Sequence, residues 1–287
     1  MKTMLRYGLI PLAMIIALLT GLRIAKEVAA QEGPDWNKGL PKQYKSVWLK
    51  HDINRPRPRK IDPGPTAATP PSDATVLFDG TDLSQWENVN SERKLWDVRD
   101  GYMEVNGQGS IRTKATFGDC QLHIEYRAPT PVAKVSQARG NSGIIFFVDP
   151  GKSGGYEVQV LDNYDNATYP DGYIGAVYGD HPPMVNAARK PGEWQSYDII
   201  FRAPRWKGDT LEKPGRFTVF LNGVLVQHNA EIYGESAWRQ LSKYGQPRER
   251  GHLLLQDHGD GQHPRFRNIW LRELNLTRGS LDDRPTD

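Results

Sequence analysis

From about residue 73 onward, apolar and polar residues alternate in short runs separated by turn residues. The runs include Trp96–Val98, Tyr102–Val105, Leu122–Tyr126, Gly143–Val148, Tyr156–Leu161 and Tyr197–Phe201. Phe217–Leu221, Val224–Gln227, Leu253–Gln256 and Phe266–Leu274 complete the series. A period of two marks a strand with one buried face. Asp100-Gly101 reads as a turn, and Asn222-Gly223 between two apolar runs is the strongest short hairpin signal. Many short strands with frequent Gly and Pro turns predict an all-β sandwich. One short helix is predicted, over Ser236–Lys243. No repeat of 20–50 residues recurs, which disfavours a propeller or solenoid.

The chain before residue 73 has a different texture. Lys2 and Arg6 precede an apolar run from Tyr7 to Leu22, and Val28-Ala29-Ala30 stand just before Gln31. That order predicts a cleaved signal peptide over residues 1–30. The run is shorter than a spanning helix and Pro11 interrupts it, so an uncleaved anchor is the weaker reading. The expectation is an exported protein, periplasmic or extracellular, with no stable membrane span after cleavage. Residues 31–72 hold an Arg-Pro run over Arg55–Lys60 and further prolines, which predicts an extended lead-in or linker rather than a helix or central strand. Trp36, Tyr44 and Trp48 are unusual for pure linker. The main domain is expected over residues 73–275 and a tail over 276–287.

The net charge of +3 gives no electrostatic case for nucleic acid. Cys120 is the only cysteine, so no intramolecular disulfide exists and stability rests on a large core. Phosphate-binding Gly loops, nucleophile elbows and zincin helices are absent from the sequence, and no nucleotide cofactor is expected.

Strand alternation assigns side chains to faces. His123, Glu125 and Arg127 share one face of their strand, and Glu157 and Gln159 share one face of theirs. Leu254, Gln256 and His258 fall together. Asn268, Trp270 and Arg272 oppose Arg267, Ile269 and Leu271. If these strands are neighbours, one sheet face carries acids, amides, His, Arg and Trp, as a sugar-binding face does. A solvated outer face is the alternative. Glu157 and Asp162 are two carboxylates on one strand, similar to the Glu-x-Asp-x-x-Glu strand of laminarinase-like glycosidases, but with Gln159 in the middle and a shorter final acid. Asp162–Asn166 is rich in oxygen ligands, and reads more readily as an Asx loop capping its own backbone than as a calcium site.

Several segments, in order, resemble the 3-keto-disaccharide hydrolase domain family. They are Leu77–Trp86, Trp96–Gly101, Gly118–Arg127, Arg139–Ile144, Gly155–Asp162, Lys190–Trp194, Leu255–Gly259 and Phe266–Trp270. The resemblance implies a concanavalin A-like jelly-roll sandwich and a substrate, an oligosaccharide or glycoside, oxidised at C3. A ketone at C3 acidifies the C2 hydrogen. A base removes it, the C1 substituent leaves, and water adds to the unsaturated sugar or the product departs as it is. On this reading Glu157 and His258 are base and acid in either order. Glu125, Arg139, Asn141, Gln159, Asp162 and Trp270 would contact substrate. Glu125, Asp162 and His258 are candidate ligands of a divalent metal of unspecified identity. The long loops Gly172–Lys190 and Ala203–Pro214 depart from a minimal domain of that family and would shape a different pocket. The alternatives are a non-catalytic carbohydrate-binding module of the cell envelope, a retaining laminarinase-like glycosidase, or a structural protein of the envelope.

Overall fold

The computed structural model describes residues 37–44, 46–150, 152 and 154–274. The predicted leader over 1–30, Trp36 and the tail over 276–287 lie outside the described residues. Among the described residues, no helix is long and apolar enough to cross a membrane. The described residues fall into two units, 37–59 and 60–274.

In the first unit the stretch 37–59 is made of turns. Asn37 Nδ2 donates to Asp52 Oδ1 at 2.6 Å, and Lys42 and Leu49 form an isolated bridge. Tyr44 is exposed.

The second unit is an all-β jelly-roll-like sandwich. Its large sheet contains β1 (Thr75–Phe78), β3 (Asp97–Arg99), β4 (Tyr102–Glu104), β6 (Cys120–Arg127), β9 (Trp194–Arg202), β12 (Arg216–Leu221), β13 (Val224–Glu231) and β15 (Arg265–Glu273). The order is β13-β12-β9-β6-β15-β4-β3, with β1 also pairing β15. The smaller sheet contains β2 (Trp86–Asn88), β5 (Ile111–Thr113), β7 (Ser142–Val148), β8 (Tyr156–Val160) and β14 (His252–Leu255), in the order β2-β5-β14-β7-β8. A separate hairpin joins β10 (Arg205–Lys207) to β11 (Thr210–Lys213). Both turns read from the sequence are present. Asp100 and Gly101 have φ of 50° and 76°, and Asn222 and Gly223 have 53° and 79°. Positive φ at both central positions suits the twist of the flanking strands.

Alternation builds the core. Leu122, Ile124 and Tyr126 of β6 face inward with Ile199 and Phe201 of β9 and Phe217 and Val219 of β12. Ile144 and Phe146 of β7, Val158 and Val160 of β8, and Leu253 and Leu255 of β14 meet them from the other sheet. Phe146 touches Phe201 and Phe217 with ring centroids 5.1 and 5.2 Å apart. Two buried tyrosines also cross the sandwich. Tyr197 Oη donates to Gln159 O and Tyr126 Oη to Gly140 O, both at 2.8 Å. Cys120 packs as a small hydrophobe at 1% exposure.

The predicted helix over Ser236–Lys243 is not formed; the described helices are short 3-10 turns at Ser136–Ala138 and Pro170–Gly172. Instead, Glu235 and Lys243 form a bridge that closes a loop. Ser236 N donates to Gly155 O and Ser236 Oγ accepts from Glu157 N, so its polar groups serve β8 rather than a helix. Arg239 has a φ of 55°, which a helix does not accommodate.

The face assignment in β15 also needs correction. The register with β6 shifts between Arg267 and Trp270, and Asn268 has a φ of 47°. This extra residue turns both Arg267 and Asn268 to the outer face, so Arg267 no longer sides with Ile269 and Leu271. Both then bond Glu125, Arg267 Nε at 2.6 Å and Asn268 Nδ2 at 3.0 Å. Residues 60–74 run back over this face. Ala68 O accepts from Asn268 Nδ2 at 2.9 Å and from Trp270 Nε1 at 3.0 Å, and Arg272 pairs with Asp73 at 2.8 Å.

His123 is buried beneath that cover, stacked on Trp270 with centroids 5.3 Å apart. Its Nδ1 lies 2.7 Å from Asp198 Oδ1, and its Nε2 faces Glu125 Oε1 at 3.9 Å, an ion-pair distance. Burial alone would lower its pKa, but Asp198 and Glu125 outweigh burial and raise it from 6.5 to about 9. The imidazolium is therefore bound more tightly in the folded chain than in the unfolded one. The rise is worth roughly 2 kcal/mol once the solvent around Asp198 is allowed for. That stabilisation is complete below the unfolded value of 6.5 and is lost as pH rises through about 9. His123→Gln should therefore melt well below the parent protein at pH 6, and the gap should narrow steadily toward pH 9.5 in parallel thermal melts.

Candidate active site

Three adjacent strands of the smaller sheet, β14, β7 and β8, form the floor of a cavity of about 890 Å³. Register fixes what each contributes. Leu254, Ile145 and Glu157 follow one another across the strands, because Leu254 pairs with Ile145 and Ile145 with Glu157. In the next row, Gln256 N bonds Gly143 O, and Gly143 pairs with Gln159. Tyr156, Val158 and Val160 fill the core, so Glu157 and Gln159 point outward into the cavity. This is the alternation read from the sequence.

Gly143 has a specific steric role. A Cβ built on it would stand 2.4 Å from Glu157 Oε1. The carboxyl group thus lies over the bare backbone of β7, and only glycine leaves that space. Glu157 is 7% exposed. Its main chain is held on both sides, since its N donates to Ser236 Oγ at 3.0 Å and its O accepts from Tyr178 N at 3.1 Å. Its carboxyl has no hydrogen-bond partner or ion pair among the described residues. Burial beside apolar groups such as Ile145 pushes its pKa up to about 8, with no charge opposing the shift.

Side-chain amides surround the carboxyl. Gln159 Nε2 donates to Gln137 Oε1 at 3.1 Å, and Asn141 Nδ2 donates to Gln137 O at 2.7 Å. Gln137 Nε2 is anchored in turn on Gly172 O and Thr168 Oγ1, each at 3.0 Å. Gln256 lines the same space, and its side-chain amide has no protein partner among the described residues. At the β14 end stands His258, partly exposed, with Nδ1 3.1 Å from Asp260 Oδ2. Beyond β8 the wall consists of two loops. One carries Tyr169, Asp171 and Tyr178, with the tyrosine hydroxyls 2.8 Å apart. The other carries Ser236, Trp238 and Arg239. The Trp238 indole is 63% exposed, and the Arg239 guanidinium lies 4.8 Å from its centroid.

Of the candidate site residues named from the sequence, Glu157, Gln159, Asn141 and His258 line this cavity, together with Gln256, which shares a face with His258; Glu125, Arg139, Asp162 and Trp270 do not. Arg139 Nε donates to Asp162 Oδ2 at 2.6 Å. Asp162 is 1% exposed, and its Oδ1 accepts from Tyr164 N. The Asp162–Asn166 loop caps itself, with Asn166 Nδ2 on Asp162 O and Asn163 Nδ2 on Asn166 O. Glu125 and Trp270 sit on the outer face of the other sheet, where Arg267, Asn268 and Ala68 engage them. The single polar face expected from neighbouring strands is thus divided between two sheets that face opposite ways.

The proposed metal ligands are scattered by the same division. Glu125 is on the large sheet, Asp162 is tied to Arg139, and His258 is at the cavity. Among the described residues no group of three or more His, Cys, Asp or Glu side chains converges as a metal site. These three residues do not fit a shared ion.

Trp238, Tyr169, Asp171, Tyr178 and Ser236 were not picked out by the sequence. The one signal for part of them was the length of the Gly172–Lys190 loop.

Fold and similarity together make this a carbohydrate-active protein of the glycosyl-hydrolase-like fold family. The chain belongs to the 3-keto-alpha-glucoside-1,2-lyase-like domain family, whose sequence profile matches residues 73–272. A crystal structure of a candidate glycosyl hydrolase from Parabacteroides distasonis is similar to it at 42% identity and a TM-score of 0.72, covering 82% of this chain and 100% of that one. A second candidate glycosyl hydrolase from Parabacteroides distasonis shares 23% identity and a TM-score of 0.52, covering 70% of this chain and 94% of that one. That second likeness is one of fold. A search of curated proteins finds no match.

Two consequences can be measured. Glu157 holds its proton in the folded chain up to about pH 8 but loses it near 4.5 when unfolded, so folding is progressively disfavoured across that interval. Glu157→Gln removes the penalty. Its melting temperature should match the parent below pH 4.5 and exceed it by roughly 5 °C or more above pH 8. Gly143→Ala should keep the fold by circular dichroism while moving the carboxyl, read as a changed Glu157 carboxyl titration by NMR.

Proposed function

We propose that this protein cleaves 3-keto-glycosides by elimination across C1 and C2, with Glu157 as the base. The observation that carries the reading is the Glu157 carboxyl itself. It is buried, free of hydrogen-bond partners, pushed up to about 8 and set in a cavity lined by amides. A carboxylate in water is too weak a base to remove a proton next to a ketone. Desolvation strengthens it, and a value near the working pH balances basicity against the fraction ionised.

Ionised Glu157 takes the proton from C2, and the electron pair of that bond enters an enolate on the C3 oxygen. The Gln256 amide, which lacks a protein partner, donates to that oxygen. The enolate then collapses, the C1–C2 double bond forms, and the bond from C1 to the leaving oxygen breaks. His258, in its protonated form, supplies a proton to that oxygen. Release at this point is lyase chemistry. Addition of water at C1, with the proton it releases passing to His258 and the Glu157 proton returned to C2, gives net hydrolysis. Gln159 and Asn141, fixed through Gln137, hold hydroxyls of the oxidised ring. Trp238 stacks the group attached at C1. The signal-like segment over residues 1–30 supports export, so that the substrate is met outside the cytoplasm.

Asp171 gives a second reading its own observation. It is another carboxylate lining the cavity with Glu157, as a glycosidase pair requires. The glycosidase pair read from the sequence, Glu157 with Asp162, loses support because Asp162 is committed to Arg139.

The test compares 3-keto-disaccharides with their unoxidised parents. Cleavage of the keto sugars alone is expected, with kcat/KM passing through a maximum as pH rises, because the step needs Glu157 ionised and His258 protonated. Glu157→Gln should lower kcat by roughly a thousandfold and leave binding intact. Trp238→Ala should raise KM about tenfold with a smaller effect on kcat. Cleavage of the unoxidised parents would reassign Glu157 and Asp171 as a glycosidase pair. Binding without cleavage of either would make the protein a carbohydrate-binding module.

A further inference from the structure

On the opposite side of the sandwich from the cavity, the outer face of the large sheet carries an unbroken ladder of cations and aromatic rings. The Arg265 and Arg127 guanidinium carbons lie 4.9 and 5.1 Å from the Tyr102 ring centroid. Arg127 and Arg267 lie 4.5 and 4.1 Å from the Trp194 centroid. The order is Arg265, Tyr102, Arg127, Trp194, Arg267.

The charges along it are unequally answered. Arg265 pairs with Glu104, and Arg267 pairs with Glu125 at 2.6 Å. Arg127 has neither an ion pair nor a hydrogen bond among the described residues, and its Nε is buried without a partner. Arg127 is moreover the direct cross-strand partner of Arg265. Like charges directly opposite on neighbouring strands are destabilising. Burial and the charges of Arg265 and Arg267 lower the Arg127 pKa, and Tyr102 and Glu104 offset only part of that. Two aromatic faces offset part of the cost, but a ring quadrupole is a weaker partner than an anion.

We propose that Arg127, flanked by Arg265 and Arg267, is a binding site for the oxyanions of an acidic polysaccharide, either carboxylate or sulfate. The occupant supplies the charge that Arg127 lacks. A folded protein partner would seek an apolar anchor pocket at the centre of its contact, and this ladder offers none. A single-stranded nucleic acid would need open aromatic faces for its bases, whereas guanidinium groups already lie against Trp194 and Tyr102. What remains accessible is positive charge with planar donors, which suits a carboxylate or sulfate. The site is separate from the cavity and its chemistry, so the chain can hold an acidic polymer with one face while the other handles a neutral or oxidised sugar.

Calorimetry and thermal melts of the full chain, with oligogalacturonate, dextran sulfate, neutral dextran and polyglutamate as probes, test this. Binding of oligogalacturonate or dextran sulfate that weakens with salt and raises the melting temperature is expected, with no response to neutral dextran. Whichever of the two binds identifies the oxyanion. Arg127→Gln should weaken that binding at least about tenfold, and should melt no lower than the parent protein without ligand, since it removes a repulsion. Turnover at the cavity should be unchanged. If that variant does not fold, NMR of the Arg127 Nε–H in the parent protein gives the same answer, by a shift on adding the acidic oligosaccharide. Absence of binding to both acidic glycans overturns the proposal. So do unchanged binding in the variant, an unmoved Arg127 signal, or polyglutamate binding as tightly as the glycans.

Discussion

The contact of Phe146 with Phe201 and Phe217 fixes the rest of the structure. It joins β7 of one sheet to β9 and β12 of the other, so the sheets can approach only with these strands turned inward at these residues. Once Phe146 and Ile144 are inward, Ile145 and Gly143 must be outward, because successive side chains alternate. The same logic turns Glu157 and Gln159 outward once Val158 and Val160 are buried. Tyr197 and Tyr126 reinforce the placement by reaching through the core to main-chain oxygens of Gln159 and Gly140. Each is a hydrogen bond inside an apolar interior, where an unmet carbonyl would be costly. The cavity floor is thus the reverse side of a core face and inherits its rigidity.

That relation explains what could be read in advance. The strands around His123, Glu157 and Asn222-Gly223 were legible because their alternation and turn chemistry are local. So was the pairing of Glu157 with Gln159 on one outward face. The assignment of strands to sheets was not, because a period of two tells which residues share a face and is silent about which sheet holds the strand. Glu125 and Trp270 were therefore grouped with residues of the opposite sheet. The bulge at Arg267 and Asn268 escaped for a related reason. It answers the demand of Glu125 for two donors, and that demand comes from another strand. The stretch from Ser236 to Lys243 looked helical by itself, but its polar groups are claimed by Gly155 and Glu157 far away in sequence. Trp238 was lost with that helix.

The buried carboxylates show how far environment separates identical chemistry. Burial would raise Glu125, but hydrogen bonds and charge from His123, Asn268 and Arg267 outweigh it and hold its pKa at about 2. Glu157 is as buried or more so, receives no such donor, and rises to about 8. The two sit on outward faces of neighbouring sheets in one domain. Their difference follows from one receiving bonds and charge from Arg, Asn and His, and the other lying beside Gly143, Ile145 and amides that do not bond it. A fully supported carboxylate such as Glu125 stabilises the fold and is a poor base. An unsupported one costs stability and gains basicity, which is why a reactive site is found where partners are missing.

Arg127 fits the same argument with the sign reversed. Its neighbours Arg265 and Arg267 are ion-paired with carboxylates, whereas Arg127 has no ion pair among the described residues, although the sheet face has positions that could have supplied one. Ser196 is opposite Glu125 and Trp194 is opposite Arg127, so a single acid at 194 would have paired the cation. An indole stands there instead, which holds the guanidinium in place without neutralising it. Placement without neutralisation is what an anion site requires, since a charge already paired has little left to offer a ligand. Glu157 and Arg127 are thus both groups whose positions are fixed by packing and whose natural partners are withheld, one in a cavity and one on an open face.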